Sequence, residues 1–153
     1  MVELMVTATV LALMVLIVSP LLLQMVRFFR INSAKVEIQR DARTCLDLIN
    51  RFLRQANSAT VTISNATGQP PHSRIAFTTV SGTNFIYYQQ NNKLFQVTTT
   101  TSTLSSNLRY LSFSYPRSDD PTIISVALTM EKATIEGRTK ALELTIEKVR
   151  VMN

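Results

Sequence analysis

The hydrophobic pattern changes twice along this chain, and each change marks a different element. From Leu4 to Val26 there is no charged residue, and apart from Pro20 only Thr7, Thr9, Ser19 and Gln24 interrupt a run of Leu, Val, Met, Ile and Ala. A helix needs roughly 20 apolar residues to cross a hydrocarbon core about 30 Å thick, whereas the core of a signal peptide is about 7 to 15 residues long. The run therefore predicts a membrane-spanning helix. A cleaved secretory signal fits less well, because no basic region precedes the run and no small-residue cleavage site follows it.

After Val26 the pattern becomes periodic. Ile31, Ala34, Ile38, Ala42, Cys45, Ile49, Phe52 and Ala56 recur at three- and four-residue steps, which is one face of an α-helix. Arg40, Arg43, Asp47, Asn50, Arg51 and Arg54 fall elsewhere on the wheel. Arg43 with Asp47 and Asp47 with Arg51 are i,i+4 pairs, each worth about 0.2 to 0.5 kcal/mol. Neither Gly nor Pro occurs between Leu21 and Ser58, so a single helix is predicted from near the N-terminus to about Asn57, roughly 80 Å long. Pro20 is the one breaker inside it. It leaves the Leu16 carbonyl without its amide donor, so a kink or locally melted turn is expected there. Such a defect is tolerated in a membrane where neighbouring helices cover the freed backbone, which points to helix packing.

Beyond Ser58 the composition shifts to Thr, Ser, Val, Ile, Tyr and Phe in short runs, the signature of strands. They are predicted near 60–64, 74–80, 84–90, 93–98, 108–115, 123–131 and 140–151. Turn signals separate them: residues 65–73 with Gly68, Pro70 and Pro71, then Ser81-Gly82, Asn91-Asn92, residues 116–121, and Glu136-Gly137. Several spacings are too short for helical crossovers, so the sheet should be mainly antiparallel. The Thr- and Ser-rich run from Thr98 to Ser106 reads as a flexible loop or an edge strand. In the last strand Leu142, Leu144 and Ile146 alternate with Glu143, Thr145 and Glu147, and the apolar set is expected to face the core and meet the helix stripe. The fold class is α+β: residues 1–26 form a transmembrane or filament-core half-helix, 27–57 an amphipathic half-helix, and 58–153 an antiparallel β-sheet region.

Composition narrows the function classes. The net charge of +6 is spread out, with seven Lys and Arg against three acids between Arg27 and Arg54 and nine against six beyond, which describes a solvated basic surface. With Cys45 the single cysteine, no intrachain disulfide forms, and its place on the apolar stripe makes it a small buried hydrophobe. His72, the one histidine, lies in a predicted loop with no partner for acid–base work. Asp119 and Asp120 are adjacent beside Ser and Pro, where turn formation is a commoner task than calcium binding. There is no Gly-rich phosphate loop and no G-x-S-x-G. No catalytic, cofactor or metal site is expected, and an enzyme is not expected. Phe85, Tyr87, Tyr88 and Phe95 beside Lys93 read as sheet-packing residues before base-stacking ones, so nucleic acid is not expected as a partner.

The one ionisable group in a costly place is Glu3, at the edge of the apolar run. Two readings stand side by side: solvation at the N-terminus with a favourable helix-dipole contact, or pairing with a positive group when helices pack.

These residues carry a family resemblance. The segment MVELMVTATVLALMVLIVSP resembles the N-terminus of type IV pilins and type II secretion pseudopilins, whose mature chains start like F-T-L-V-E-L, often with a proline seventeen residues after the acid. Glu3 and Pro20 have that spacing. The segments ARTCLDLINRFLRQA, FIYYQQNNKLFQV and LRYLSFSYP are similar to J-type or W-type minor pilins. The resemblance implies a pilin-like fold and a structural subunit that helps initiate or cap a filament. Its apolar helix would first anchor it in the inner membrane and then pack in the filament core. Glu3 would pair with a neighbour's N-terminal amine, and Pro20 would sit in the segment that such filaments unwind. The implied partners are other pilin or pseudopilin subunits, the inner-membrane assembly platform, and prepilin peptidase acting on a basic leader upstream of Met1. A major pilin, or a pilin-like adhesin or DNA-uptake subunit binding polyanions, is the alternative. Arg27, Arg30 and Lys35 follow the apolar run, and on charge alone they would hold the C-terminal domain in the cytoplasm. The resemblance implies the opposite orientation, with the leader supplying the N-terminal charge.

Overall fold

The computed structural model describes residues 1–135 and 139–151. One helix, α1 (Val2–Leu53), is followed by a short 3-10 turn at Ser58–Thr60 and then by strands β1 (Thr62–Ser64), β2 (Arg74–Thr78), β3 (Asn84–Gln90), β4 (Lys93–Val97), β5 (Thr101–Ser105), β6 (Leu108–Ser114), β7 (Ile123–Ile135) and β8 (Thr139–Arg150). Every strand pair is antiparallel, but the strands form two sheets, a five-stranded one ordered β1-β2-β3-β4-β5 and a three-stranded one ordered β6-β7-β8. This is an α+β architecture, a long N-terminal helix packed on antiparallel sheet, and it is consistent with the pilin-like fold the sequence implies.

The 52 residues of α1 span roughly 78 Å, and burial divides them sharply. Residues 2–30 of it are all exposed, and full burial begins at Ala34. Ala34, Ile38, Ala42, Cys45, Leu46, Ile49 and Leu53 then form the stripe that enters the core, close to the predicted face, with Ile31 and Phe52 half-buried at its flanks. The helix stops at Leu53, short of Asn57, because the next residues are recruited by β2. The Asn57 N–H donates to the Thr78 carbonyl at 2.9 Å, and Ala56 bridges Thr79. Neither Arg43 with Asp47 nor Asp47 with Arg51 closes to an ion pair among the described residues. Exposed pairs gain too little to hold two long side chains in one geometry.

One continuous core lies between α1 and both sheets. Ile75, Phe77, Phe85, Tyr87 and Leu94 enter it from the first sheet, and Leu108, Leu111, Phe113, Ile124, Val126, Leu128 and Met130 from the second. Leu108 and Leu111 both point inward only because a bulge shifts the register between Leu108 and Tyr110. Phe85 stacks on Phe52 of the helix with ring centroids 4.4 Å apart. The two sheets are joined by Gln89, a buried amide in β3. Its Nε2 donates to the carbonyls of Asn91 and Arg109, each at 3.0 Å, and its Oε1 accepts the Leu111 N–H at 2.9 Å.

The last strand corrects one expectation. Leu142, Leu144 and Ile146 are 52%, 64% and 60% exposed, on the face away from the helix. Ile124, Val126, Leu128 and Met130 of β7 point inward and pair with Val149, Glu147, Thr145 and Glu143. Cross-strand partners share a face, so these β8 residues point inward too. There they meet the polar flank of α1, where Gln39 Nε2 donates to Glu143 Oε2 at 3.3 Å. The segment from Thr98 to Ser106 contains edge strand β5, and the predicted Glu136-Gly137 turn includes residues outside those described.

Candidate assembly surface

The largest chemically unusual surface is the N-terminal half of α1. An 18-residue window there has a mean hydropathy of 2.5 with none of it buried within the chain, so the helix is long and apolar enough to span a membrane. Soluble monomers rarely expose contiguous apolar patches beyond a few hundred Å², and this surface is of the kind that lipid or other helices cover. The charge-free stretch from Leu4 to Val26 measures roughly 35 Å along the axis, slightly more than a hydrocarbon core.

Local chemistry makes this half compatible with an apolar environment. Thr7 donates to the Leu4 carbonyl at 3.0 Å, Thr9 to those of Met5 and Val6 at 3.0 and 2.8 Å, and Ser19 to that of Val15 at 2.9 Å. Each hydroxyl in the run is thereby satisfied by its own helix. Two polar side chains are not. Glu3, in the first turn, and Gln24, near the far end of the run, make no hydrogen bond or ion pair among the described residues. Glu3 was legible in the sequence. Gln24 gained significance only when the hydroxyls proved self-satisfied. The helix runs uninterrupted through Pro20, which lies four residues past Leu16 in the middle of the exposed surface.

The other residues singled out by sequence take structural posts. Cys45 is 3% exposed, and burial, reinforced by the Asp41 charge, pushes its thiol up to about 11. His72 adopts a left-handed backbone with φ 59°, its N–H donating to Asn65 Oδ1 at 2.8 Å and its carbonyl accepting the Phe113 N–H at 2.9 Å. Asp120 accepts hydrogen bonds from the Thr122 hydroxyl and N–H, which hold its carboxyl below the usual range, while Asp119 lies 3.4 Å from Arg117. Among the described residues no three His, Cys, Asp or Glu side chains come together as a metal site. Phe85 and Tyr87 are core residues. Tyr88 and Phe95 stack on each other at 5.4 Å on the other face. A cleft of about 440 Å³ near them is lined by Asn65, Thr67, Arg74 and Gln90 and holds no nucleophile–base pair.

No protein-family model, no curated protein and no solved structure matches this chain.

Proposed function

We propose that the chain is a structural minor subunit, of the minor pilin or pseudopilin kind, in a type IV pilus or type II secretion-like filament. The observation that carries this reading is the contrast within α1. One continuous helix docks a folded domain along its second half and leaves its whole apolar first half uncovered. A bilayer covers that surface before assembly, and the matching surfaces of neighbouring subunits cover it afterwards. The folded domain lies outside the cytoplasm.

In this setting the two unpartnered polar groups acquire partners. Glu3 meets the N-terminal amine of a neighbour, an attraction that a low dielectric strengthens and desolvation partly cancels. Gln24 hydrogen-bonds across the helix interface, an interaction worth about 1 kcal/mol. Pro20 has no amide to offer the Leu16 carbonyl, and the helix opens there on packing.

The test is cell fractionation of the full chain. The expected result is a pool that resists alkaline extraction from the membrane and a second pool in the filament fraction sheared from the cell surface. A chain that stays in the membrane under conditions where filaments are recovered would instead be a plain anchored sensor or scaffold.

A further inference from the structure

Strand β7 extends toward the apolar half of α1. Its residues 132–134 lie beside helix residues 29 to 37, and the Lys132 ammonium forms an ion pair with the Glu37 carboxylate. Between the two elements is a crevice of about 240 Å³, lined on the helix by Phe29, Arg30, Ser33 and Glu37 and on β7 by Lys132 and Thr134.

Its position relative to a bilayer follows from helix rise. Val26 is the last residue of the apolar run, so Arg27 and Arg30 fall within roughly 6 Å of its end, and Ala34, the first buried residue, lies roughly 12 Å beyond. The headgroup layer on one side of a bilayer is about 5 to 8 Å deep. Arg27 precedes Ala34 by two helical turns on the same face, which places it directly beneath the crevice. Arg27 and Arg30 are exposed and form no ion pair among the described residues, and Phe28 and Phe29 beside them are 67% and 75% exposed. Among the described residues Glu37 is the one acid lining the crevice, and it is engaged by Lys132. Arg27, Arg30 and Lys132 against Glu37 leave a net of two positive charges where phosphates of a bilayer lie.

We propose that this crevice binds the phosphate of an anionic phospholipid headgroup. Arg30 and Lys132 face the phosphate from its two walls, Arg27 approaches from below, and the Phe29 ring lies against the glycerol and upper acyl region. The ligand is a lipid of the leaflet that the folded domain faces, so the site fixes the height and tilt of the domain above the membrane before the subunit leaves it. This inference rests on the membrane-spanning part of the proposed function and not on filament assembly.

The test uses the full chain reconstituted in phosphatidylcholine vesicles containing a minority of phosphatidylglycerol. Electron spin resonance then compares the association of spin-labelled phosphatidylglycerol and spin-labelled phosphatidylcholine with the protein boundary. The wild type is expected to favour phosphatidylglycerol by roughly fivefold, the preference one basic residue confers near an anionic surface. The ratio should fall to about one in Arg27→Gln/Arg30→Gln, and should stay at the wild-type value in Arg27→Lys/Arg30→Lys and in the distal pair Arg51→Gln/Arg54→Gln. Equal association in the wild type would overturn the site, as would a preference that survives Arg27→Gln/Arg30→Gln. Abolition of the preference by inorganic phosphate at constant ionic strength would assign the crevice to free anions and overturn the lipid assignment. A chain that alkaline extraction removes from the vesicles would contradict the membrane-span reading itself, whereas a retained chain with a ratio of one contradicts the headgroup site alone.

Discussion

Replacing Gln89 by Met should weaken the join between the two sheets, because it keeps the side-chain volume and removes every polar contact the amide makes. Three hydrogen bonds disappear: two donated by Nε2 to the Asn91 and Arg109 carbonyls and one accepted by Oε1 from the Leu111 N–H. The losses are unequal. Asn91 and Arg109 are exposed residues whose carbonyls can turn to water, so each contributes a few tenths of a kcal/mol. Leu111 is fully buried, and its N–H is left with no partner, at a cost of about 1 to 3 kcal/mol. The total comes to about 1.5 to 4 kcal/mol. With a urea m-value of about 2 kcal/mol/M, the unfolding midpoint of the full chain in detergent micelles should drop by about 1 to 2 M. Gln90→Met, at an exposed neighbour, should stay within about 0.5 kcal/mol of wild type. Hydrogen exchange supplies the local readout: the Leu111 amide, protected in the wild type, should exchange much faster in Gln89→Met. A Gln89→Met chain with wild-type stability and a still-protected Leu111 amide would refute the account of how β3 holds β6.

The exposure of β8 makes a paired prediction. Leu144→Lys should leave stability within about 0.5 kcal/mol, whereas Leu128→Ala, on the inward face of β7, should cost about 2 to 5 kcal/mol in the same urea assay. Similar losses in both would show that the apolar row of β8 faces the core after all. Cys45, buried with its thiol pushed up to about 11, should resist a thiol reagent at pH 8 in the folded chain and react fully in denaturant. Rapid modification without unfolding would contradict its burial. Asp120 has a folded-state pKa below its unfolded value, so its contribution is present above about pH 4 and is lost as pH falls through the lowered value. Asp120→Ala should therefore be less stable than wild type at neutral pH and converge with it in acid. A constant gap across that range would remove the Thr122 hydrogen bonds as the cause.

What the sequence could reveal depended on how local each determinant is. The apolar run, the helix stripe from Ala34 to Ile49 and the boundaries of β3 are set by periodicity over neighbouring residues, and all were legible. The way the two sheets meet was not, since Gln89 of β3 bonds across to β6 and the bulge before Tyr110 sets which β6 residues point inward, contacts between residues distant in sequence. The face of β8 was misread for a related reason. Alternation distinguishes two faces of a strand but not which one is covered, and the four large inward residues of β7 decided that through register. On the candidate surface, Glu3 and Pro20 stood out by chemistry alone. The crevice beside Arg30 did not, because it exists only where a hairpin of 13- and 12-residue strands extends alongside the helix.

If the uncovered half of α1 assembles with other helices and does not merely anchor the chain, Glu3→Ala should separate the two roles when variant and wild type are compared in membrane and sheared-filament fractions of the same cells. Glu3→Ala is expected to enter the membrane as well as the wild type, since removing a carboxylate lowers the insertion cost, and to be depleted from filaments. Wild-type recovery of Glu3→Ala in the filament fraction would contradict the pairing role.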